Sequence, residues 1–191
     1  MSLLNSLEFH NPNIYFIDSL AAFIFYFTVY SFLGWLLENS YNLFTKRVFF
    51  KDNFLLGPFK PMYGFAPVIL VYFMGLEPNW LVVILLCFFV PSIVEFISGY
   101  LLKKFFHREW WDYSDMPLHL KGYVCLPFSL CWIFLSFISL KWIHPFIVSV
   151  YGMIGGFWDK IYLAVILYYL IELFFAIRRN VFSGEKSTNP V

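Results

Sequence analysis

Long apolar stretches alternate with short polar and basic stretches along most of this chain. Residues 20–37 form an eighteen-residue run without a charged side chain, about the length that crosses the hydrocarbon core of a bilayer. The run at 62–76 is shorter, at fifteen residues. The pattern predicts five transmembrane helices, at about 20–42, 62–76, 80–102, 123–140 and 161–177.

Composition supports a membrane protein, because 61% of the residues are hydrophobic and only 13% are charged. A soluble domain carries about 25% charged residues. We therefore expect an all-α polytopic fold, with one transmembrane domain over residues 1–182 and a disordered cytoplasmic tail at 183–191. The three cysteines have no pair spacing and are expected to be buried apolar residues.

The segment 142–158 is ambiguous, because it is uncharged over seventeen residues but contains a proline and three glycines. It could cross the membrane or lie in the interface. Gly152 and Gly156 form a GxxxG pair, which packs helices closely in some membrane proteins and is a weak signal alone.

Basic residues decide between these alternatives, since Lys and Arg are enriched in cytoplasmic loops. With five spans, one side of the membrane holds eleven Lys and Arg residues and the other side holds two. A crossing at 142–158 would place Arg178 and Arg179 outside. The distribution thus predicts a multi-pass protein of the cell membrane with the N-terminus outside, the C-terminus in the cytoplasm, and no crossing at 142–158.

The three outside-to-inside spans each carry one glutamate shortly before a basic pair. These are Glu38, Glu95 and Glu172, and helix geometry places them at similar depth in the cytoplasmic half. Ionisable groups in a span normally face a cavity or a partner. We expect the polar faces around Glu38 and Glu95 to face each other. The alternative is that each glutamate extends to the cytoplasmic headgroups and pairs with a nearby lysine or arginine.

The stretch GPFKPMYGF (57–65) places two prolines and two glycines where a helix should begin. Irregular backbone at membrane depth is tolerated where it is buried in protein or lines a wet cavity. The segment is therefore expected to dip into the membrane and to form one wall of a pocket near Glu38 and Glu95. The alternative is a plain interfacial turn with Lys60 among the headgroups.

The loop HREWWDYSDMPLHLKG (107–122) is the richest polar stretch. Its acidic and histidine residues match no standard metal-ligand spacing, so no metal site and no cofactor are predicted. The chain has no GxxxxGK[ST] motif and therefore does not hydrolyse ATP by that route.

Four ordered segments carry a resemblance to a known family: GWLLENSYN (34–42), FLLGPFKPMYGF (54–65), VEFISGYLL (94–102) and WWDYSDMPLHLKGYVCLPFSLCW (110–132). They resemble the small integral membrane proteins described as ABC-transporter permeases of type IV, or CmpB-like. The resemblance implies functional weight on two sets of residues. The candidate binding residues are Glu38, Gly57, Pro58, Pro61, Tyr63, Gly64, Glu95, Trp111, Asp112, Tyr113 and Ser114, and the further motif positions are Pro117 and Gly122.

The chain departs from the family pattern at two positions. His119 stands where asparagine is usual, and Lys60 stands where a small residue is common. The role of His119 is therefore open.

The leading hypothesis is a permease-like membrane component with a polar pocket open to the cytoplasm, and its substrate is unknown. Its expected partners are the lipid bilayer and either a separate ATPase subunit or further copies of the chain, without nucleic acid. The alternative is an intramembrane enzyme or lipid-binding protein acting on headgroups, with Glu95 or Asp112 as general base and Lys103, Lys104 and Arg108 holding phosphate. A third hypothesis is an accessory protein that packs against partners.

Overall fold

The computed structural model describes residues 12–186, and describes side chains over 14–181. After a short 3-10 helix at Pro12–Tyr15, the helices are α1 (Leu20–Lys46), α2 (Pro61–Met74), α3 (Trp80–Phe106), α4 (Leu126–Ile138) and α5 (His144–Lys186). A π-helical turn, Ser139–Ile143, joins α4 to α5, and two short strands, β1 (His119–Leu120) and β2 (Val124–Cys125), precede α4. The predicted all-α fold class is confirmed.

Two helical hairpins of matching size form the first two thirds of the fold. The long helices α1 and α3 each have 27 residues, and the returning helices α2 and α4 have 14 and 13. The side chains of Ser19 and Asn79 cap the N-termini of α1 and α3 by accepting the N–H groups of Ala22 and Val82. Both returning helices begin with a proline in the first turn, where its missing N–H costs nothing.

Three helical segments in the described residues are long and apolar enough to cross a membrane. They are Leu20–Lys46, Trp80–Phe106 and the continuous run Leu126–Val181, while Pro61–Met74 is apolar but short. The short second helix was therefore predicted from the sequence. The prediction of separate helices at 123–140 and 161–177 was incomplete, because the residues between them are also helical.

The packing of the long helices α1 and α3 depends on α2. Helix α2 packs against both α1 and α3 and lies between them. Gly34 and Gly64 allow this close approach: a Cβ on Gly34 would overlap the Tyr63 ring, and a Cβ on Gly64 would overlap Ser31 and Phe27. The sequence predicted that the polar faces of α1 and α3 face each other, and in the structure α2 packs between these two helices.

The loops 47–60 and 107–118 and the end of α5 lie together at one end of the molecule, here called the basic end. Arg108 donates to Asp52 at 2.8 Å, and Arg179 donates to the carbonyl groups of Asn53 and Phe54, also at 2.8 Å. Tyr15 lies at the opposite end, where its carbonyl faces Gly75. The C-terminal ends of α1, α3 and α5 thus share one end, as their basic pairs predicted.

The run from α4 through α5 leaves the basic end and returns to it. A straight helix of 56 residues would be about 84 Å long, well beyond the ~30 Å hydrocarbon core. Along α5, Tyr151 packs on Phe25, Trp158 donates to the carbonyl of Ala21, and Tyr169 then packs on Phe27. The contacts with α1 therefore move toward its N-terminus and then come back.

Segment 142–158 is helical, and it is anchored at the end away from the basic loops. His144 is buried between the hydroxyl of Tyr30, at 3.1 Å, and the carbonyl of Ile14, at 2.8 Å. Among the described residues, nothing lies within 4 Å of a Cβ built on Gly152 or Gly156, so the GxxxG pair packs against no helix in that part of the chain. Helix α5 extends to Lys186, and residues 187–191 of the predicted tail lie outside the described residues.

Candidate functional site

Glu38 lies two turns before the end of α1 and forms ion pairs with two lysines of the following loop. Its Oε2 atom accepts from Lys51 Nζ at 2.9 Å and from Lys60 Nζ. The side chain of Lys60 is only 9% exposed and that of Glu38 only 15% exposed. The backbone N–H of Lys60 also donates to the carbonyl of Ser31, which fixes the start of α2 against α1. Lys60 thus lies inside the protein rather than among the headgroups.

Glu95 is buried in the middle of α3 and is held by neutral donors. Its Oε1 atom accepts from the Tyr113 hydroxyl at 3.0 Å, and its Oε2 atom accepts from Trp132 Nε1 at 2.9 Å. The residue is 3% exposed. Within the described residues, no Lys, Arg or His lies within 4.0 Å of this carboxyl group. Both oxygens are therefore satisfied by hydrogen bonds, without a cation.

Tyr63, in the first turn of α2, lies between these two carboxyl groups. It is partly buried and interacts electrostatically with Glu38, Glu95 and Tyr113. Its ring packs edge-on against Trp132 at 5.5 Å. The residues Glu38, Lys60, Tyr63, Glu95, Tyr113 and Trp132, here called the polar cluster, therefore connect α1, α2, α3 and α4 and the 107–122 loop.

The WDYS loop is built so that Tyr113 reaches Glu95. Asp112 accepts from both the N–H and the hydroxyl of Ser114, at 2.9 and 2.6 Å, and these bonds hold the pKa of Asp112 below its usual value. Gly122 has φ +74°, and a Cβ there would strike Asp112 and Ser114. The Tyr113 N–H donates to the Gly122 carbonyl at 2.9 Å. Asp112 and Ser114 therefore shape the turn, and Tyr113 alone of the three reaches the polar cluster.

His119 has a structural role in the same turn. Its Nδ1 atom accepts from the Gly122 N–H at 3.2 Å. An asparagine side chain also offers an acceptor oxygen, which accounts for either residue type at this position. Among the described residues, no group of three or more His, Cys, Asp and Glu side chains is arranged to hold a metal ion.

Glu172 does not join Glu38 and Glu95, although the sequence placed all three at one depth. Its Oε2 atom accepts the N–H groups of Leu56 and Gly57 at 2.8 and 2.9 Å, and its Oε1 atom accepts from Tyr168. Together with Arg179, which donates to the carbonyls of Asn53 and Phe54, it holds the 53–57 backbone against α5. The irregular segment is thus satisfied by protein groups.

Three cavities surround the polar cluster. The first is an apolar cavity of about 360 Å³ beside Gly34, Tyr63 and Trp132. A second, of about 540 Å³, runs between α3 and α5, and a third, of about 620 Å³, opens at the basic end beside Gly57 and Pro58. Neither Glu38 nor Glu95 lines any of the three, so in this structure their oxygens face their own hydrogen-bond partners.

The predicted binding residues divide into three groups by position. Glu38, Tyr63, Glu95 and Tyr113 lie in the polar cluster. Gly57 and Pro58 line the basic-end cavity, and Pro61 and Trp111 line the 540 Å³ cavity between α3 and α5. Gly64, Asp112 and Ser114 serve packing and turn geometry.

Sequence analysis missed Lys51 and Lys60 as partners of Glu38, and Trp132 as a donor to Glu95. Trp132 lies in the motif segment 110–132, whereas Lys60 is 22 residues from Glu38 in the sequence and gives no local signal.

Comparison with protein families gives a match over residues 25–177, which is more than half of the chain. The matching family model is described as "Putative ABC-transporter type IV". The chain belongs to this family. The sequence-based resemblance is therefore confirmed, and the family match covers all four helices that carry the polar cluster. No curated protein and no solved structure shows significant similarity to the chain.

Family membership and the three long apolar helical segments together make this a membrane transporter-like component. The matched region begins inside α1 and ends inside α5. The polar cluster, the WDYS turn and the loop held by Glu172 therefore all lie within the family region.

Proposed function

We propose that this protein is the permease-like membrane subunit of an ABC-type transport assembly and that the polar cluster is its substrate site, reached from the cytoplasm. The observation that carries the proposal is Glu95. It is 3% exposed within a 27-residue apolar helix, and two neutral donors hold both of its oxygens. Ionisable residues at such positions are costly and normally serve binding or transport.

Five membrane crossings suit the contacts better than three. Helices α1, α2 and α3 alternate in direction, and the run from α4 through α5 starts at the β-hairpin near Trp111 and ends at Asn53. Both points lie at the basic end. Since a run that leaves one end and returns to it crosses twice, the C-terminus and both basic loops share a side, which the positive-inside rule makes cytoplasmic.

Access to the polar cluster from that side would pass Lys51. This residue lines the basic-end cavity and also pairs with Glu38. In this structure Lys51 and Lys60 both pair with the Glu38 carboxylate, so a substrate that binds Glu38 must displace one of them. Lys51 is the better candidate because its side chain is 30% exposed, whereas that of Lys60 is 9% exposed.

The proposal is tested by purifying the tagged full-length chain from its native membrane after chemical cross-linking. We expect a stoichiometric second subunit with a nucleotide-binding P-loop, because this chain lacks one. In reconstituted vesicles, the chain should change the ATP hydrolysis rate of that subunit. Glu95→Gln and Tyr63→Phe should reduce this effect while the subunit still co-purifies.

Gly156→Ala is the matched control, because a Cβ at that position meets nothing within 4 Å. It should leave both association and ATP hydrolysis unchanged. Recovery of the chain only as a homo-oligomer, with no ATPase at stoichiometric amount, would contradict the proposal.

A further inference from the structure

Two of the cavities have complementary chemistry. The one between α3 and α5, here called the apolar cleft, is lined by side chains such as Phe27, Phe65, Leu102, Phe105 and Leu170. The one at the basic end, here called the basic cavity, is lined by Lys51, Asp52, Arg108, Arg179 and the 55–58 backbone segment. A long apolar space and a cationic space therefore lie in the same half of the molecule.

The two cavities meet at the loop that precedes α2. Asn53 and Leu55 line both of them. On one side of this pair are Phe54, Trp110 and the α3 and α5 side chains, and on the other are the three cations. A single amphiphilic molecule lying across Asn53 and Leu55 would therefore occupy both.

The lining of the basic cavity is mainly cationic. Three cationic side chains and one carboxylate, that of Asp52, line it, and Lys51 also pairs with Glu38. Asp52 accepts from one nitrogen of Arg108 at 2.8 Å, and a guanidinium group has five N–H donors. Arg108 is 48% exposed and Asp52 is 83% exposed, so both can exchange partners with a ligand. Planar guanidinium donors bind phosphate oxygens in pairs.

The apolar cleft opens toward the bilayer. Leu101, Phe105, Leu170 and Leu173 line it and are each more than 40% exposed. In a membrane protein, exposed apolar side chains on the outer faces of two helices contact lipid chains. The cleft is therefore reachable by an acyl chain from the surrounding membrane.

We infer that the apolar cleft and the basic cavity together form a binding site for one anionic phospholipid, with the phosphate among Lys51, Arg108 and Arg179 and an acyl chain in the cleft. The site is distinct from Glu95. It also differs from the phosphate site expected from the sequence, since Lys103 pairs with Glu109 and Lys104 lies over the Tyr100 ring. Of those three predicted cations, only Arg108 lines the basic cavity.

The test is native mass spectrometry of the full chain in mild detergent with equal amounts of phosphatidylglycerol, phosphatidylethanolamine and oleate. We expect the wild type to retain phosphatidylglycerol over phosphatidylethanolamine by about tenfold, the effect of one charge-assisted hydrogen bond pair. Arg108→Gln should bring the ratio close to one. Lys46→Gln, which removes a charge at the same end but lines neither cavity, should keep the wild-type ratio.

Two further variants keep the test decisive if Arg108→Gln does not fold. Asp52→Asn removes the competing carboxylate and should raise the phosphatidylglycerol preference above that of the wild type. Ser98→Phe places a ring in the apolar cleft without changing charge and should reduce bound phosphatidylglycerol.

The inference is overturned if the wild type shows no headgroup preference, or if Lys46→Gln loses the preference as Arg108→Gln does. Retention of oleate in place of phospholipid would also overturn it. None of these outcomes bears on the ATPase partnership, which is measured separately.

Discussion

The hydroxyl of Tyr113, in the loop after α3, donates a 3.0 Å hydrogen bond to Oε1 of Glu95 inside α3. The ring of Tyr113 also stacks on Phe128 of α4 at 4.9 Å. One side chain thus links the WDYS turn, a buried carboxyl group and the returning helix. The loop is consequently part of the polar cluster, and its geometry and that of Glu95 should change together.

Tyr113→Phe is expected to lower stability by about 1–3 kcal/mol, the cost of leaving a buried acceptor without its partner. The ring still stacks on Phe128, so the loss is confined to the hydroxyl. The measurement is the unfolding midpoint in increasing dodecyl sulfate. Tyr100→Phe, on the exposed face of α3, is the control and should match the wild type. An unchanged midpoint for Tyr113→Phe would show that Glu95 does not depend on this bond.

The Glu38 ion pairs predict that removing the glutamate and removing one of its lysine partners lower stability by different amounts. Glu38→Gln leaves Lys51 and Lys60 close together without their acid, whereas Lys60→Met leaves Glu38 paired with Lys51. Breaking a fully buried pair costs about 3–5 kcal/mol, and these partly exposed groups should cost less. We expect Glu38→Gln to be the more destabilising, and the double variant Glu38→Gln/Lys60→Met to be more stable than Glu38→Gln alone. If Lys60→Met were the more destabilising change, the two lysines would have to be solvated by water once Glu38 is replaced.

Close packing of α1 against α2 predicts a strong effect at Gly64. A Cβ there would overlap the side chains of Ser31 and Phe27, so Gly64→Ala must displace these side chains or separate the helices. Overpacking of this kind costs about 1–3 kcal/mol. Gly156→Ala meets nothing within 4 Å and should be neutral or stabilising, since alanine is favoured over glycine by up to about 1 kcal/mol in a helix. Equal effects of the two changes on the unfolding midpoint would contradict the packing.

The sequence predicted the two long helices α1 and α3 well because their apolar runs end at basic pairs. It placed the start of α1 at Leu20 and the start of α3 at Trp80, as observed. It ended the first span at residue 42, four residues before the end of α1. In the fold the side-chain amides of Asn39 and Asn42 bind the 48–51 backbone, through Lys51 N–H and the Val48 carbonyl, and the helix continues to Lys46.

The site could be predicted only in part, because its geometry depends on pairing between distant segments. Motif glutamates and tyrosines were identified, but the 22-residue separation between Glu38 and Lys60 gives no local signal. The sequence analysis inferred from α1 and α3 alone that their polar faces face each other. The position of α2 between these helices depends on the close approach at Gly34 and Gly64. Glu172 was placed at the same depth as Glu38 and Glu95, yet its partners are the Tyr168 hydroxyl and two backbone N–H groups some 115 residues earlier.

The hydrogen bonds from the Leu56 and Gly57 N–H groups to Glu172 predict that removing this carboxylate makes the loop before α2 more mobile. Glu172→Ala removes the acceptor for the Leu56 and Gly57 N–H groups, so hydrogen exchange over 54–58 should accelerate while exchange in α1 stays the same. Asp159→Asn, an exposed change in the same helix, should leave this segment at the wild-type rate. The experiment compares deuterium uptake of the peptide by mass spectrometry. Unchanged uptake in Glu172→Ala would mean that the 54–58 segment does not depend on Glu172.

Membrane orientation is the last prediction, and Asp159 is the position that decides it. If α4 and the second half of α5 each cross and 142–158 does not, Asp159 and Glu77 lie outside, whereas Asp115 and Lys46 are cytoplasmic. Single cysteines at these four exposed positions, in a chain with Cys87, Cys125 and Cys131 replaced, should report this with an impermeant maleimide. Asp159→Cys and Glu77→Cys should react in intact cells, and the other two only after permeabilisation. Labelling of Asp159→Cys only after permeabilisation would place a crossing at 142–158, whereas labelling of Asp115→Cys in intact cells would reverse the orientation.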